Sequence, residues 1–169
     1  RKLVYNSFTP PHLSTIARTN VELGYYDKNF FAVYNEFEIN QLDSYIKHDR
    51  DENIAYVGME QFRGKYLAQN RVTGQIFETP QIAYMMIAAT LFSAYPKETR
   101  IKYVKEYYDA ISNFDISLPT PIMAGLRTPQ RQFSSCVLIE TDDSLDSINA
   151  TSSAIVKYVS QKAGIGIGA

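Results

Sequence analysis

The chain contains a single cysteine, Cys136, and its thiol could act as a nucleophile or as a redox group. It follows Ser134 and Ser135, opens the apolar run CVLI, and lies downstream of Arg127 and Arg131. A nearby guanidinium lowers the pKa of a thiol and so favours the reactive thiolate. The alternative is a buried structural cysteine, because a free cysteine packs like a small hydrophobic residue. With one cysteine, an oxidised disulfide would need a partner thiol on another segment.

Hydroxyl groups and glycines accompany this cysteine along the sequence. Thr120 lies in SLPTP, Ser135 directly precedes Cys136, and Gly164 opens the run GIGIG. Hydroxyls and glycine N–H groups can bind a diphosphate without surplus positive charge. The alternatives are turn or cap roles for the hydroxyls, and a tight turn or a close backbone approach for the glycines.

A third polar group, formed by Asp143, Ser144 and Leu145, opens the last predicted helix. An Asp or Ser there can cap the helix and compensate its dipole. The helix carries small residues on one side, which suits either self-association or packing against a sheet. These small residues are Ala150, Ser152, Ser153 and Ala154.

The remaining candidates for chemistry are weak. The two histidines, His12 and His48, lack further His or Cys at metal-ligand spacing, so the sequence predicts no metal site. The segment HDRD, which spans 48–51, is expected to form a surface charge network. Lys2 taken alone is typical of a solvated surface charge.

Apolar spacing predicts four helices in front of the cysteine. The first spans 12–24 with Gly24 as its stop, and the second spans 37–50. The third begins at Thr79 and Pro80, is apolar on nearly every face and ends at Pro96; the fourth is amphipathic and spans 97–113.

Between the second and third helices, Lys65 to Glu78 predicts a β-hairpin that turns at Gly74. The segment 114–128 is rich in Pro, Thr, Ser and Gly and is expected to be an ordered loop without regular helix. From Phe133 onward, a strand, a helix over 144–162 and a second strand follow the order of a βαβ unit. We therefore predict two domains, 1–129 and 130–169.

Charge and hydropathy exclude two classes of partner. Lys and Arg number 17 against 18 Asp and Glu, so no broad basic field indicates nucleic-acid binding. The apolar run from Ile82 to Phe92 is shorter than the ~20 residues of a membrane span, which predicts a cytoplasmic protein without a membrane anchor. Because the chain begins at Arg1 instead of Met and ends within a predicted strand, we expect a piece of a longer protein.

Several segments resemble the large, catalytic subunit of class I ribonucleotide reductase, in order and over nearly the whole chain. They are HDRD, GKYLAQNRVTGQIFETPQ, SLPTP, QFSSCV and DSLDSINATSSAIVKYVSQKAGIGIG. The resemblance implies a mainly helical region that follows an ATP-cone, then the opening β-α-β of a ten-stranded α/β barrel, with the remaining strands outside this chain. It implies reduction of ribonucleoside diphosphates by thiyl-radical chemistry.

The resemblance also implies roles for single residues. Cys136 matches one of two redox-active cysteines, and Thr120, Ser135 and Gly164 match residues that, with that cysteine, contact the substrate. Asp143, Ser144 and Leu145 match the site for deoxynucleoside or nucleoside triphosphate effectors, and Lys2 matches the end of the ATP-cone. Two positions depart from the family pattern: Asp142 replaces a usual Gly, and Gly168 replaces a usual Asn.

The implied partners are a second large subunit, a small subunit that holds the metal-radical cofactor, and thioredoxin or glutaredoxin as reductant. ATP and deoxynucleoside triphosphates are the implied effectors, and no cofactor is expected on this chain itself. Two other functions stay open from the residues alone. One is a non-catalytic nucleotide-sensing module with an inert cysteine, and the other is a helical interaction domain without nucleotide affinity.

Overall fold

Helices dominate the chain, as the three- and four-residue spacing of its apolar residues predicts. The computed structural model of the protein describes residues 11–161 and 163–168, and the chain divides into two units, Arg1–Gln130 and Arg131–Ala169. The first unit contains α1 (Leu13–Glu22), α2 (Phe30–Val33), α3 (Glu36–Tyr45), a 3-10 helix (His48–Asn53), α4 (Tyr56–Gln61), a π-helix (Phe62–Tyr66), α5 (Pro80–Leu91), α6 (Lys97–Ser112) and α7 (Thr120–Gly125). The second contains β1 (Cys136–Glu140), α8 (Leu145–Ser160) and β2 (Gly164–Gly168).

The centre of the first unit is α5, which is buried on every side along residues 80–89. Thr79 caps this helix by accepting from the Ile82 N–H at 3.3 Å, and Pro80 occupies the first turn, where its missing N–H costs nothing. The predicted start and the predicted core position of this helix are both confirmed. α6 and α7 pack against α5.

Polar pairing connects α3 to α6. Asn35 and Glu38 form a reciprocal capping box at the start of α3, with bonds of 2.9 and 3.0 Å. The Glu38 carboxylate also accepts from the buried Arg100 guanidinium of α6 at 2.7 Å. Burial opposes ionisation of Glu38, but these hydrogen bonds offset it and lower the pKa of its carboxyl group.

The second predicted helix is shorter than expected. α3 ends at Tyr45, and HDRD begins a 3-10 helix, in which Arg50 forms an ion pair of the expected kind with Asp109 at 2.9 Å. Asp51 is buried and accepts from Gln81 at 2.9 Å, so this part of HDRD belongs to the core. Phe37, expected on the buried face of that helix, is 77% exposed. Burial lowers the pKa of His48 below its usual value, despite the nearby carboxylate of Asp43.

The predicted hairpin is present in minimal form. Gly74 has φ of 73°, as the turn requires, and one antiparallel bridge joins Gln69 to Ile76. The N–H of Phe77 donates to the Ala68 carbonyl at 2.9 Å. The arms are too short to count as strands.

The expected loop at 114–128 contains a short helix, so that prediction is wrong. α7 begins at Thr120 within the sequence PTP. Proline is tolerated in the first turn of a helix, because the N–H it lacks has no partner there in any case. The prolines therefore set where this helix begins.

Phe114 follows α6 with φ of 66°, the left-handed conformation that usually requires glycine. The N–H of Asp115 bonds back to the Ala110 carbonyl at 2.9 Å, so the conformation closes the helix end. We expect Phe114→Gly to stabilise the protein by about 1 kcal/mol relative to Phe114→Ala, because both remove the ring and only glycine removes the strain. Urea denaturation of the two variants tests this, and equal stabilities would show that the backbone there is unstrained.

The second unit is a βαβ unit, as predicted. β1 and β2 pair in parallel with Cys136 opposite Gly164, and α8 contacts both strands. The Thr141 and Thr151 hydroxyls, 2.9 Å apart, join the end of β1 to α8. The fold is therefore mainly helical with a small two-stranded parallel sheet. Among residues 11–161 and 163–168, no helix has both the length and the apolar character that crossing a bilayer demands.

Candidate functional site

The pairing of β1 with β2 brings together Ser135, Cys136 and Gly164. The Gly164 N–H donates to the Ser135 carbonyl at 3.0 Å, and the Cys136 Sγ lies 4.0 Å from the Ser135 Oγ. A Cβ atom at position 164 would lie 3.3 Å from that sulfur. Three of the four residues predicted to contact substrate therefore share one end of the sheet.

Cys136 is a free and exposed thiol. The alternative of a buried structural cysteine is wrong for this chain, although an apolar run follows the residue. Among the described residues its side chain is open to solvent, which is a condition for a reactive thiol.

Gly164 and Gly166 allow a close approach between strands and do not form a turn. Both lie within β2, and a Cβ on Gly166 would come within 2.6 Å of the Leu138 side chain. At Gly164 the N–H is used in the bond to Ser135, so this group does not remain for a phosphate. What Gly164 provides is the close approach of its backbone to Cys136, because a Cβ there would crowd the sulfur.

Arg127 does not act as the predicted activating cation. Its side chain is 1% exposed within the first unit, where it forms an ion pair with Glu78. It also donates to the carbonyls of Met123 and Tyr66, both at 2.7 Å. Sequence patterns do not reveal this buried pair, because its members lie 49 positions apart.

Thr120 belongs to the first unit, as the first residue of α7. Its side chain is exposed, and its Oγ1 lies 3.4 Å from the Tyr66 hydroxyl. The predicted substrate residues are thus divided between the two units. Tyr66 is not among the residues that the sequence singles out, since nothing in the sequence links it to Thr120.

Asp143, Ser144 and Leu145 lie at the start of α8, and all three are exposed. Ser144 is the N-cap and accepts from the Ser147 N–H at 3.2 Å, which confirms the capping alternative for this residue. The Ser147 hydroxyl in turn accepts from the Asp142 N–H at 2.9 Å. The cap is thus made by Ser144, and the carboxylate of Asp143 is not part of it.

Two further predictions concern metals and the amino terminus. Within residues 11–161 and 163–168, no cluster of His, Cys, Asp or Glu could hold a metal ion. Lys2 lies outside the described residues.

Residues 52–131 match a family described as "Ribonucleotide reductase, all-alpha domain". Over 169 residues the chain is 61% identical to "Ribonucleoside-diphosphate reductase 1 subunit alpha" of Escherichia coli (strain K12), and 59% identical to the "Ribonucleoside-diphosphate reductase subunit alpha" of Haemophilus influenzae. The corresponding subunit of Enterobacteria phage T4 is 49% identical over 167 residues. These alignments cover 99–100% of this chain but 22% of each relative. The chain therefore spans about a fifth of the length of the relatives it matches.

Proposed function

Because this chain belongs to the family of ribonucleotide reductase large subunits, we propose that it forms part of a ribonucleoside-diphosphate reductase. The reaction is the conversion of ribonucleoside diphosphates to deoxyribonucleoside diphosphates by thiyl-radical chemistry. The observation that carries the proposal is the exposed thiol of Cys136, which lies 4.0 Å from the Ser135 hydroxyl and so close to Gly164 that a Cβ there would come within 3.3 Å of the sulfur. A sulfur at this position can approach a ribose.

In the proposed reaction, Cys136 is one of two thiols that supply the electrons. The ribose loses its 2′-hydroxyl as water, the carbon gains hydrogen, and the two thiols become one disulfide. The Cys136 thiol assists departure of the hydroxyl by donating its proton. The second thiol and the radical-bearing cysteine lie elsewhere in the subunit, because this chain has one cysteine.

The substrate cradle is proposed to include Thr120, Ser135, Cys136 and Gly164. Both hydroxyls belong to exposed residues and can donate to phosphate or ribose oxygens. Gly164 contributes by its missing side chain, since a Cβ would crowd the sulfur at 3.3 Å. Neutral hydroxyl donors can bind a phosphate without surplus positive charge, and the basic and acidic residues of this chain nearly balance.

The proposed site for the deoxynucleoside or nucleoside triphosphate that sets substrate preference consists of Asp143, Ser144 and Leu145. A separate proposal is that Lys2 contacts the ATP or dATP that controls overall activity. The exposed start of α8 supports the first assignment, because its dipole favours anions. The metal-radical cofactor belongs to the small subunit, and a second large subunit completes the homodimer. Thioredoxin or glutaredoxin is proposed to reduce the disulfide back to thiols. The proposed enzyme is cytoplasmic. Its catalytic domain is proposed to be a ten-stranded barrel that begins with β1, α8 and β2.

Replacing Asp143 with Ala tests the effector assignment without disturbing the helix cap, which Ser144 makes. We expect the effector dissociation constant to rise about tenfold, because the Asp143 carboxylate no longer accepts a charge-assisted hydrogen bond from a sugar hydroxyl or base N–H of the effector. The enzyme should also discriminate less strongly between its nucleoside diphosphate substrates. The measurement is equilibrium binding of triphosphates to the full-length subunit, with product ratios from mixed substrates.

The control for that variant is Asp146→Ala, which removes a carboxylate in the first turn of the same helix. It lowers the local negative charge equally but lies outside the proposed site. Unchanged affinity and selectivity in Asp143→Ala, or equal effects in both variants, would remove Asp143 from the effector site.

The function as a whole is tested by combining the full-length subunit with its small subunit, a nucleoside diphosphate, an effector and reduced thioredoxin. Formation of the deoxynucleotide supports the reductase. Effector binding without reduction would favour a nucleotide-sensing module, and the absence of both would favour a helical interaction domain.

A further inference from the structure

The hydroxyls of Tyr66 and Thr120 form a pair at the surface of the first unit. Their oxygens are 3.4 Å apart, well beyond the ~2.7 Å of a strong hydroxyl–hydroxyl bond. Neither hydrogen atom is therefore firmly committed to the other oxygen. Two hydroxyls at this separation can both donate to a third oxygen that lies within hydrogen-bond distance of each.

The ring of Tyr66 is fixed by packing. It meets Phe62 edge to face with ring centroids 5.7 Å apart, and Phe62 meets Tyr84 in the same way at 5.6 Å. Tyr66 ends the π-helix, in which the Leu67 N–H bonds to the Phe62 carbonyl at 2.9 Å. Such π-helical turns are rare and occur frequently at functional sites.

The end of the π-helix is held by side chains. Arg71 donates to the carbonyls of Gly64 at 2.6 Å and Lys65 at 3.2 Å, and Arg127 donates to the carbonyl of Tyr66 at 2.7 Å. Carbonyls at the end of a helix lack helical partners, so these guanidinium groups stabilise the turn that presents Tyr66. The position of the hydroxyl is thereby set before any ligand binds.

The same Arg127 also holds the element that carries Thr120. Its guanidinium donates to the carbonyl of Met123 in α7 at 2.7 Å. One buried side chain therefore bonds to both backbones that supply the hydroxyl pair. Glu78 neutralises its charge, so what remains at the surface is a pair of neutral donors.

We propose that Tyr66 is a further substrate-binding residue, whose hydroxyl donates together with that of Thr120 to one phosphate oxygen of the nucleoside diphosphate. The inference rests on the proposed function, which assigns Thr120 to the substrate. A phosphate oxygen accepts and does not donate, which matches two hydroxyls free to donate. The site requires no cation, since the phenol and the alcohol supply the hydrogen bonds.

The test is Tyr66→Phe in the full-length subunit assembled with its small subunit. This change removes one hydroxyl and keeps the ring against Phe62. We expect the KM for the nucleoside diphosphate to rise about three- to tenfold while kcat and the effector dissociation constant stay unchanged. A fold defect would instead lower the melting temperature and affect effector binding too.

The matched control is Tyr107→Phe. Tyr107 is also half-buried and also meets a phenylalanine edge to face, Phe92 at 5.6 Å, but it lies on α6 and is not a member of the hydroxyl pair. Its KM should equal that of the unmodified enzyme. An equal rise in both variants would overturn the proposal, because it would mark a general effect of losing a phenol.

Thr120→Val separates this inference from the function on which it rests. If Thr120→Val raises KM and Tyr66→Phe does not, Tyr66 is not a ligand while the substrate assignment of Thr120 stands. If Thr120→Val leaves KM unchanged, the assignment of Thr120 fails, and the two-donor site fails with it. Parallel rises in both single variants support the proposed pair.

Discussion

In the proposed reductase, Cys136→Ser is expected to lower the rate of multiple turnover with thioredoxin or glutaredoxin by at least about 100-fold. A serine hydroxyl can neither give up electrons to form a disulfide nor match the acidity of a thiol. Effector binding should be unchanged, because α8 begins beyond the end of β1 and its cap does not involve the sulfur. The measurement is steady-state formation of deoxynucleotide, beside equilibrium binding of a deoxynucleoside triphosphate.

Ser134→Ala is the control for that variant. Ser134 is exposed and lies two residues before Cys136, but its side chain is not assigned to the site. Its turnover should stay within twofold or threefold of the unmodified enzyme, a difference of about 0.4 to 0.7 kcal/mol. Normal multiple turnover in Cys136→Ser would show that this thiol takes no part in the reduction.

Local sequence signals predict the main helices and the βαβ order well. The apolar stripe of α6 is confirmed, with Val104, Tyr108 and Ile111 buried, and Thr79-Pro80 correctly marks the start of α5. Each of these signals acts within a few residues, through helical periodicity or the hydrogen bonds of a helix end. The same reasoning places Cys136 at the start of a strand, where the structure has it.

Contacts between distant segments cannot be predicted in this way. Arg100 belongs to a polar helix face in the sequence, yet it is buried against Glu38, 62 positions away. The short sequence distance between Arg127 and Cys136 predicts that the arginine lies near the thiol. The Arg127 side chain is instead buried in the first unit, where a carboxylate and two backbone carbonyls accept hydrogen bonds from its guanidinium. The contact between Tyr66 and Thr120 cannot be predicted from local sequence for the same reason, because the two residues are 54 positions apart.

The second large effect is expected for Arg127→Met, which breaks a buried ion pair and should lower the free energy of unfolding by about 3–5 kcal/mol. Burial disfavours the charged guanidinium, but the adjacent Glu78 carboxylate holds the pKa of Arg127 above its usual value. Burial and then the charge of Glu78 raise the pKa of Tyr26 well above its usual range, so its phenol stays protonated and donates to that carboxylate. Without Arg127, the carboxylate would remain buried with neutral donors alone.

Urea denaturation of four variants measures this effect: Arg127→Met, Glu78→Gln, the double variant and a control. Arg63→Met is the matched control, since its partner Glu60 and the arginine are both partly exposed, and it should cost about 0.5 kcal/mol or less after solvent screening. Glu78→Gln/Arg127→Met removes both buried charges, and we expect it to cost less than the sum of the two single variants. Additive costs would mean that the two charges do not stabilise each other. In that case Arg127 would stabilise the fold mainly through its hydrogen bonds to the carbonyls of Tyr66 and Met123. Arg127→Met would then chiefly disturb the positions of the Tyr66 and Thr120 hydroxyls, which these two backbone segments carry.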